Sequence, residues 1–455
     1  MLRCRPSRRL AAPWPLARAF CSAAPPRDGC LVASQKVGHK QLDFIALGDA
    51  KQLHLQLPPP GSPTTDVLRR AQQLPHYLED LFLPRDYKTS TTHDYLPYAK
   101  WQFVGSVAGT ACGVLSMQSL LYAIGLQSGA IPMAAALNWV IKDGLGQFGG
   151  VLFASLVNHR FDSDPKRWRV VSALAMDAAT LTEILTPLCP AYFLPMAAMA
   201  NVAKNISWLS ASATRAGFHY SFAKTENLAD ITAKAGSQSI ASSILGTALG
   251  IAISPIIGTT TSHVAGAFFV LSSINLWSLY NSLRVVSLRT LNQQRLNHIL
   301  DAFIANAAIP TPDVVSQQER FVSNLLSGKA CHLQHSHLDV ASRLDAVYTP
   351  STVIWPGEKY LLHVDVDATT SHATVHLLME ASATSDEVLA AHLHARLFQN
   401  LYEATPGAHT TPMLHASYAT ASAQRRSYLD AMNASAWHCE NLLVEETPAR
   451  YTLHN

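Results

Sequence analysis

The sequence predicts a mainly α-helical, polytopic membrane bundle followed by a small C-terminal α/β domain. Three observations predict it. Charged residues make up 14% of the 455 residues and hydrophobic ones 48%, against about 25% charged in an average soluble chain. Two long stretches, 101–141 and 235–283, contain no Asp, Glu, Lys or Arg, and a membrane helix needs roughly 20 apolar residues. After about residue 310 the chain turns polar again. The same composition excludes a largely disordered chain and makes an ordinary soluble enzyme a poor fit. A net charge of +3 gives no footprint for nucleic acid. The seven Cys show no CxxC spacing, so neither a zinc ribbon nor a disulfide framework is indicated.

Residues 1–30 read as an organelle transit peptide. Arg3, Arg5, Arg8, Arg9, Arg18 and Arg27 precede the first acid, Asp28, and an Arg-rich, acid-poor start is the mark of an imported chain. Arg18-Ala19-Phe20-Cys21-Ser22 has the look of a mitochondrial processing site. That places the protein in an organelle membrane, the mitochondrion ahead of the plastid. Residues 31–80 form a mixed segment. Leu53 to Leu57 alternates like a strand, Pro58 to Pro63 breaks the chain, and Leu68 to Leu81 suits a short helix.

The bundle is expected within 81–300. Spans fit at 102–125, from Pro132 onward, at 238–257 and at 263–283, with a turn around Pro255 to Thr261. Ile184 to Ala203 lacks charge but carries Pro187, Pro190 and Pro195, which predict a kink or break. Four to six spans fit. Gly105, Gly109 and Gly113 recur every four residues, as do Gly146 and Gly150, and Gly246 and Gly250. Such spacing puts small residues on one helix face, where two helices can approach closely. Two spans separate Lys234 from Arg284, so these basic flanks, and the C-terminal region after them, belong on one side. In 310–455, Glu358 to Asp365 and Ala373 to Met379 read as strands carrying His363 and His376. Thr384 to Glu387 is a capping box that opens a helix through Asn400.

Candidate functional residues are the ionisable groups at apolar depth, because charge there is costly and faces a partner or a cavity. Lys142 and Asp143 interrupt an apolar run from Trp139 to Phe153. Asp177 and Glu183 recur in the next one, with Lys204, Asn205 and Arg215 as partners for buried ion pairs. Asn227, Asp230, Lys234 and Gln238 fall on one helix face, either a solvated face or a polar stripe beside an embedded cavity. Gly144-x-Gly146-x-x-Gly149 matches a dinucleotide fingerprint as a string, but no β-branched strand precedes it, so close helix packing explains it better. Cys331, His332, His335 and His337 lack a second ligand cluster, so no metal is expected. No catalytic constellation stands out, and no cofactor is indicated.

Several ordered strings resemble the root UV-B sensitive (RUS) family. They begin with Leu83-Pro84-Arg85-Asp86-Tyr87 and Asp94-Tyr95-Leu96-Pro97-Tyr98-x-x-Trp101. Trp139-Val140-x-Lys142-Asp143-Gly144-x-Gly146, Lys166-x-Trp168-Arg169 and Ala213-Thr214-Arg215-Ala216 follow. Then come Asn227-x-Ala229-Asp230-x-x-Ala233-Lys234-x-Gly236-Ser237-Gln238 and Thr290-Leu291-Asn292-x-Gln294-Arg295. The resemblance covers roughly 80–300, with a looser match beyond. The chain departs from the family pattern at 85–87 and at 222–226. The resemblance implies a multi-pass membrane protein tied to development, UV-B response, auxin distribution and vitamin B6 homeostasis, with no established catalytic activity and with some members acting in pairs. Its motifs fall on the polar residues singled out above. The expectation is a non-enzymatic protein that binds or moves a small polar metabolite through Lys142, Asp143, Arg215, Asn227, Asp230, Lys234 and Gln238. The rivals are a scaffold pairing with a family member, or a second copy, through its Gly-rich faces, and an enzyme acting on a vitamin B6 compound.

Overall fold

The computed structural model describes residues 30–37, 40–46, 53–55, 78–128, 132–157, 160–322 and, with short interruptions, 333–452. The chain falls into two compact units, Met1–Leu81 and Phe82–Asn455. The first holds an antiparallel sheet of β1 (Cys30–Val37), β2 (Lys40–Ala46) and β3 (Leu53–Leu55). The expected strand at Leu53 to Leu57 is thus found over its first three residues. Residues 78–82 are helical. The rest of the helix expected there, and the transit peptide up to residue 29, lie outside the described residues.

Among the described residues, six long helices dominate the second unit. They are α1 (Tyr95–Ser128), α2 (Pro132–Val157), α3 (Pro165–Leu185), α4 (Phe193–Phe222), α5 (Leu228–Ile257) and α6 (Thr261–Val285). Among the described residues, four stretches are long and apolar enough to cross a membrane: Tyr95–Gly125, Pro165–Leu188, Leu228–Ile257 and Thr261–Val285. The proline cluster acts as its chemistry demands. α3 stops at Leu185, two short 3₁₀ turns follow, and Phe193 opens α4. Pro255 instead stays inside α5, and the helix ends two residues later at Ile257, capped by Gly258, whose φ of 69° suits glycine.

The helices follow one another as three up-and-down pairs. Residues 186–192 and 258–260 join them at one end and contain no Asp, Glu, Lys or Arg, and neither does the sequence between α1 and α2. The joints at the other end are charged, with Arg160, Lys224 and Arg289 among them. α1 is the central helix and packs on α3, α5 and α6, while α4 packs on α3 and α2. The small residues act at these seams. A Cβ on Gly246 would stand 2.5 Å from the Val107 carbonyl oxygen, and one on Gly250 would stand 2.7 Å from Val114. Gly105 lies against Asn275 and Ser278, with Gly109 beside the same Asn275. Gly146, Gly149 and Gly150 receive Asn201, Val202 and Asn205. Gly113 and Gly144 have open space beside them.

Past α6 the chain builds a mixed sheet covered by helices. β4 (Ser336–Val340) pairs parallel with β6 (Ala373–Glu380), β5 (Tyr360–Val366) pairs antiparallel with β6, and β7 (Arg450–Tyr451) pairs parallel with it. α7 (Gln293–Asn306), α8 (Pro312–Gln318), α9 (Ser385–Ala404) and α10 (Thr410–Asn433) accompany the sheet. The capping box at Thr384 and Glu387 forms as expected. The core joins Leu296, Ile299 and Phe303 of α7 to Val375 and Leu377 of β6 and to Leu393 and Phe398 of α9. This is why the region folds on itself rather than extending into lipid.

Candidate polar site between the helix ends and the C-terminal region

Few charges enter the bundle, and Glu183, Asp177 and Lys142 each have a partner there. Glu183, 1% exposed, accepts hydrogen bonds from Ser116 of α1 and Lys204 of α4. Ser272 of α6 donates to Asp177 at 2.5 Å. These are the ion pairs and polar bonds that an apolar setting requires. Lys142 is buried, pairs with Asp143 and sits 4.6 Å from the Trp139 ring centre. Asn201 of α4 donates to the Lys142 carbonyl and to Asp143, both at 3.1 Å. The same amide that fills the notch at Gly146 therefore also holds the ion pair.

The remaining predicted residues gather elsewhere. Asp230 accepts the Arg85 backbone N–H at 2.8 Å. Gln238 donates to the Phe82 carbonyl at 2.7 Å and to the Tyr95 hydroxyl at 3.3 Å. α5 thereby straps the segment before α1. Arg215 is exposed and lines a small cleft with Tyr98, His219 and Gln238. It does not join the Glu183–Lys204 pair as expected, because it lies eleven residues beyond Lys204, about 16 Å along the helix. Lys234 is half-buried one turn beyond Asp230. Asn227 stands at the N-cap of α5, and both polar atoms of its amide are buried without a hydrogen-bond partner. The structure thus separates Lys142 and Asp143, held to α4, from Asp230 and Gln238, held to the start of the unit.

A larger cavity, of about 950 Å³, opens at the charged ends of the helices. Its wall takes Thr92 from before α1, Phe161, Asp162 and Pro165 from the entry to α3, and Thr214, Gly217 and Tyr220 from the last turns of α4. Lys224, Glu226 and Leu228 come from the α4–α5 joint, Arg289 and Thr290 from after α6, and His438 and Leu443 from the C-terminal region. Ligand pockets commonly fall in this size range. Glu226 has a φ of 54°, a left-handed conformation that costs a non-glycine residue about 1–2 kcal/mol.

A buried charge cluster backs this cavity. Glu319, just past α8, bonds both Lys166 of α3 and Arg295 of α7. All three side chains are at most 3% exposed. Burial alone would raise the Glu319 pKa, but Arg295 and Lys166 hold it below the usual carboxylate value. Arg295 also donates to the Thr290 carbonyl at 2.8 Å and hydroxyl at 3.0 Å, and Asn292 caps α7 by accepting the Arg295 N–H. The string Thr290-Leu291-Asn292-x-Gln294-Arg295 is therefore a helix cap plus an anchor. Sequence reasoning missed Glu319 altogether, since nothing near it in the chain marks a partner 153 residues away. It also missed that Ala223, Lys224 and Glu226, within the stretch that departs from the family pattern, line the cavity.

On the sheet, Asp365 bridges His363 at 3.0 Å and His376 at 3.4 Å, and Asp339 meets His376 at 3.3 Å. Among the described residues no group of three or more His, Cys, Asp or Glu is arranged to hold a metal ion; Cys331 and His332 lie outside them.

Residues 68–307 match the family described as the vitamin B6 photo-protection and homoeostasis domain. The chain is 30% identical over 357 residues to root UVB sensitive 2, chloroplastic, of Arabidopsis thaliana, covering 76% of this chain and 79% of that one. It is 34% identical over 246 residues to root UVB sensitive 4 of the same plant, covering 53% and 46%. With RUS family member 1 of Dictyostelium discoideum it shares 32% over 251 residues, covering 54% and 48%. The chain thus spans about half the length of the last two. Of these three names one carries a plastid label and none a mitochondrial one, so the expected preference for the mitochondrion finds no support. No solved structure matches.

Proposed function

Because this chain belongs to the root UV-B sensitive (RUS) family, we propose that it is an organelle-membrane protein whose helical bundle binds or moves a small polar metabolite without transforming it. A vitamin B6 compound is the first candidate, from the description of the family domain. The cavity of about 950 Å³ carries this reading, because residues from five separate segments converge on it with both polar and charged groups. Four of its wall positions, Ala213, Thr214, Ala216 and Thr290, are named positions of the strings that resemble the family. Asn227 stands beside that wall, between Glu226 and Leu228. In this reading the Lys142–Asp143 pair, Arg215, Asp230, Lys234 and Gln238 set the helices around the cavity, and a role for them on the path of the metabolite belongs to the same proposal.

The Gly-rich faces argue against the scaffold reading in its original form. Gly105, Gly146, Gly150, Gly246 and Gly250 already receive side chains or backbone from within the chain, so pairing through them would require opening the bundle.

The test uses a cavity-filling variant. Gly217 lines the cavity, and a Cβ there meets nothing within 4 Å, so Gly217→Leu adds bulk to the cavity from a position with room for its first carbon. The full chain in nanodiscs is assayed for pyridoxal 5′-phosphate by equilibrium dialysis. Binding by the unaltered chain and its loss in Gly217→Leu, with an unchanged melting profile, is the expected result. Equal binding by both places the ligand elsewhere, and no binding by either sinks the reading.

A further inference from the structure

Two cations and two anions line the same cavity. Lys224 and Arg289 supply the first, Asp162 and Glu226 the second. A ligand of one sign would satisfy one pair and repel the other inside a half-enclosed space, where charge is poorly screened. Two buried polar atoms, one in this wall and one on a side chain bonded to it, have no partner. Arg295, 1% exposed, holds Thr290 of the wall with one guanidinium nitrogen, while its Nη2 has no hydrogen-bond partner. Thr92 Oγ1, in the wall, is buried and unpartnered too. Buried polar atoms are nearly always paired, so these two ask for an explanation. Glu226, held in its left-handed conformation, adds local strain of the kind found at ligand clamps.

We propose that the cavity takes a zwitterionic phosphate monoester, with its phosphate at Arg289 and Lys224 and its protonated nitrogen at Asp162 and Glu226. This rests on reading the cavity as a metabolite site and adds the charge pattern of the ligand. A phosphate monoester carries roughly −1.5 to −2 charges and three strong acceptors. Arginine presents a fork of donors that matches them, and lysine adds a point charge. The cavity lies at the charged ends of the helices, where a membrane surface would be. The favoured source is a free monoester, and the rival is the amine-bearing headgroup of a lipid, a phosphate diester that is also zwitterionic but carries one negative charge.

The full chain in nanodiscs is titrated with pyridoxamine 5′-phosphate, pyridoxamine and inorganic phosphate. Pyridoxamine 5′-phosphate is expected to bind about tenfold or more tightly than either half, the effect of one added set of charge-assisted bonds. Arg289→Ala should abolish its advantage over pyridoxamine, and Asp162→Asn with Glu226→Gln should abolish its advantage over inorganic phosphate. Unchanged ratios in these variants overturn the charge pattern. If pyridoxal 5′-phosphate still binds in a manner sensitive to Gly217→Leu, only this inference fails and the metabolite site stands. Nanodiscs with and without phosphatidylethanolamine separate the sources. Competition from that lipid assigns the site to a headgroup, and indifference to it assigns the site to the free compound.

Discussion

Glu183 shows how one residue decides whether a bundle can hold charge. Its carboxylate is buried among apolar helices and is matched by Ser116 and Lys204 from two neighbours. Removing one partner of a buried pair typically costs 3–5 kcal/mol, because the other charge is stranded. Glu183→Ala should therefore lower the thermal midpoint of the detergent-solubilised chain clearly, and adding Lys204→Met should restore much of the loss. A single variant that melts like the parent would show that the pair contributes nothing. The pairing was legible because charges in an apolar stretch are few and have few possible mates. Arg215 was assigned to the same group by chemistry, and helix geometry sends it to the far end of α4. The Glu319 anchor was illegible for the opposite reason: its setting is polar, so its burial depends on a fold that brings α3 and α7 to it.

At the scale of elements, the four-residue glycine spacing announced close packing but not which helix would arrive. Gly246 and Gly250 receive α1, and a side chain at Gly246 meets the backbone of Val107, which cannot rotate away. Gly246→Leu should cost at least about 1–3 kcal/mol, the range for overpacking, and broaden the elution profile of the purified chain. Gly266→Ala, where a Cβ meets nothing within 4 Å, should be neutral or gain up to about 1 kcal/mol of helix propensity. Equal effects at the two positions would refute the seam. The sheet region tests a second elementary rule. Burial pushes the pKa of His392 and of His394, both on α9, down to about 4. In the unfolded chain they titrate near 6.5. Between those values the unfolded state binds more protons, so stability falls as pH falls, by at most about 1.4 kcal/mol per pH unit for each histidine. Glu319 acts later, because its pKa is held down and its contribution is lost only at lower pH. Melting of the full chain should therefore weaken between pH 6.5 and 4.5, and a flat profile there would contradict the burial of these rings.

The whole molecule is organised by where charge is allowed. Every joint at one end of the six helices is free of Asp, Glu, Lys and Arg, and every joint at the other end carries Lys or Arg. Such an asymmetry sets the orientation of a polytopic bundle, with the basic side kept where insertion began. It also explains why the cavity and the C-terminal region lie at the same end. The chain leaves α6 at Val285 on the basic side, and Lys166, Arg295 and Glu319 then tie α3, α7 and the end of α8 together through one buried cluster. The two apolar stretches made three of the four candidate spans legible from sequence, while Pro165–Leu188 lies in neither and the span expected from Pro132 onward is not among the four found in the described residues. The strings at 384–387 and 373–379 made the sheet region legible. The cavity was not legible, since it is assembled from residues as distant as Thr92 and Leu443. One experiment tests the arrangement entire. Epitope tags are placed at the C-terminus and, separately, between Gly258 and Thr260, and sealed membranes from expressing cells are treated with alkaline carbonate and with protease. The bundle requires both proteins to stay in the carbonate pellet, because helices of this length and apolarity partition into lipid. It further requires opposite protection of the two tags, since α6 alone separates them by a span of 25 residues, about 37 Å of helix. Release by carbonate would return the helices to a water-soluble core. Equal protection would mean that α6 does not cross, and the cavity would lose its place at the membrane surface.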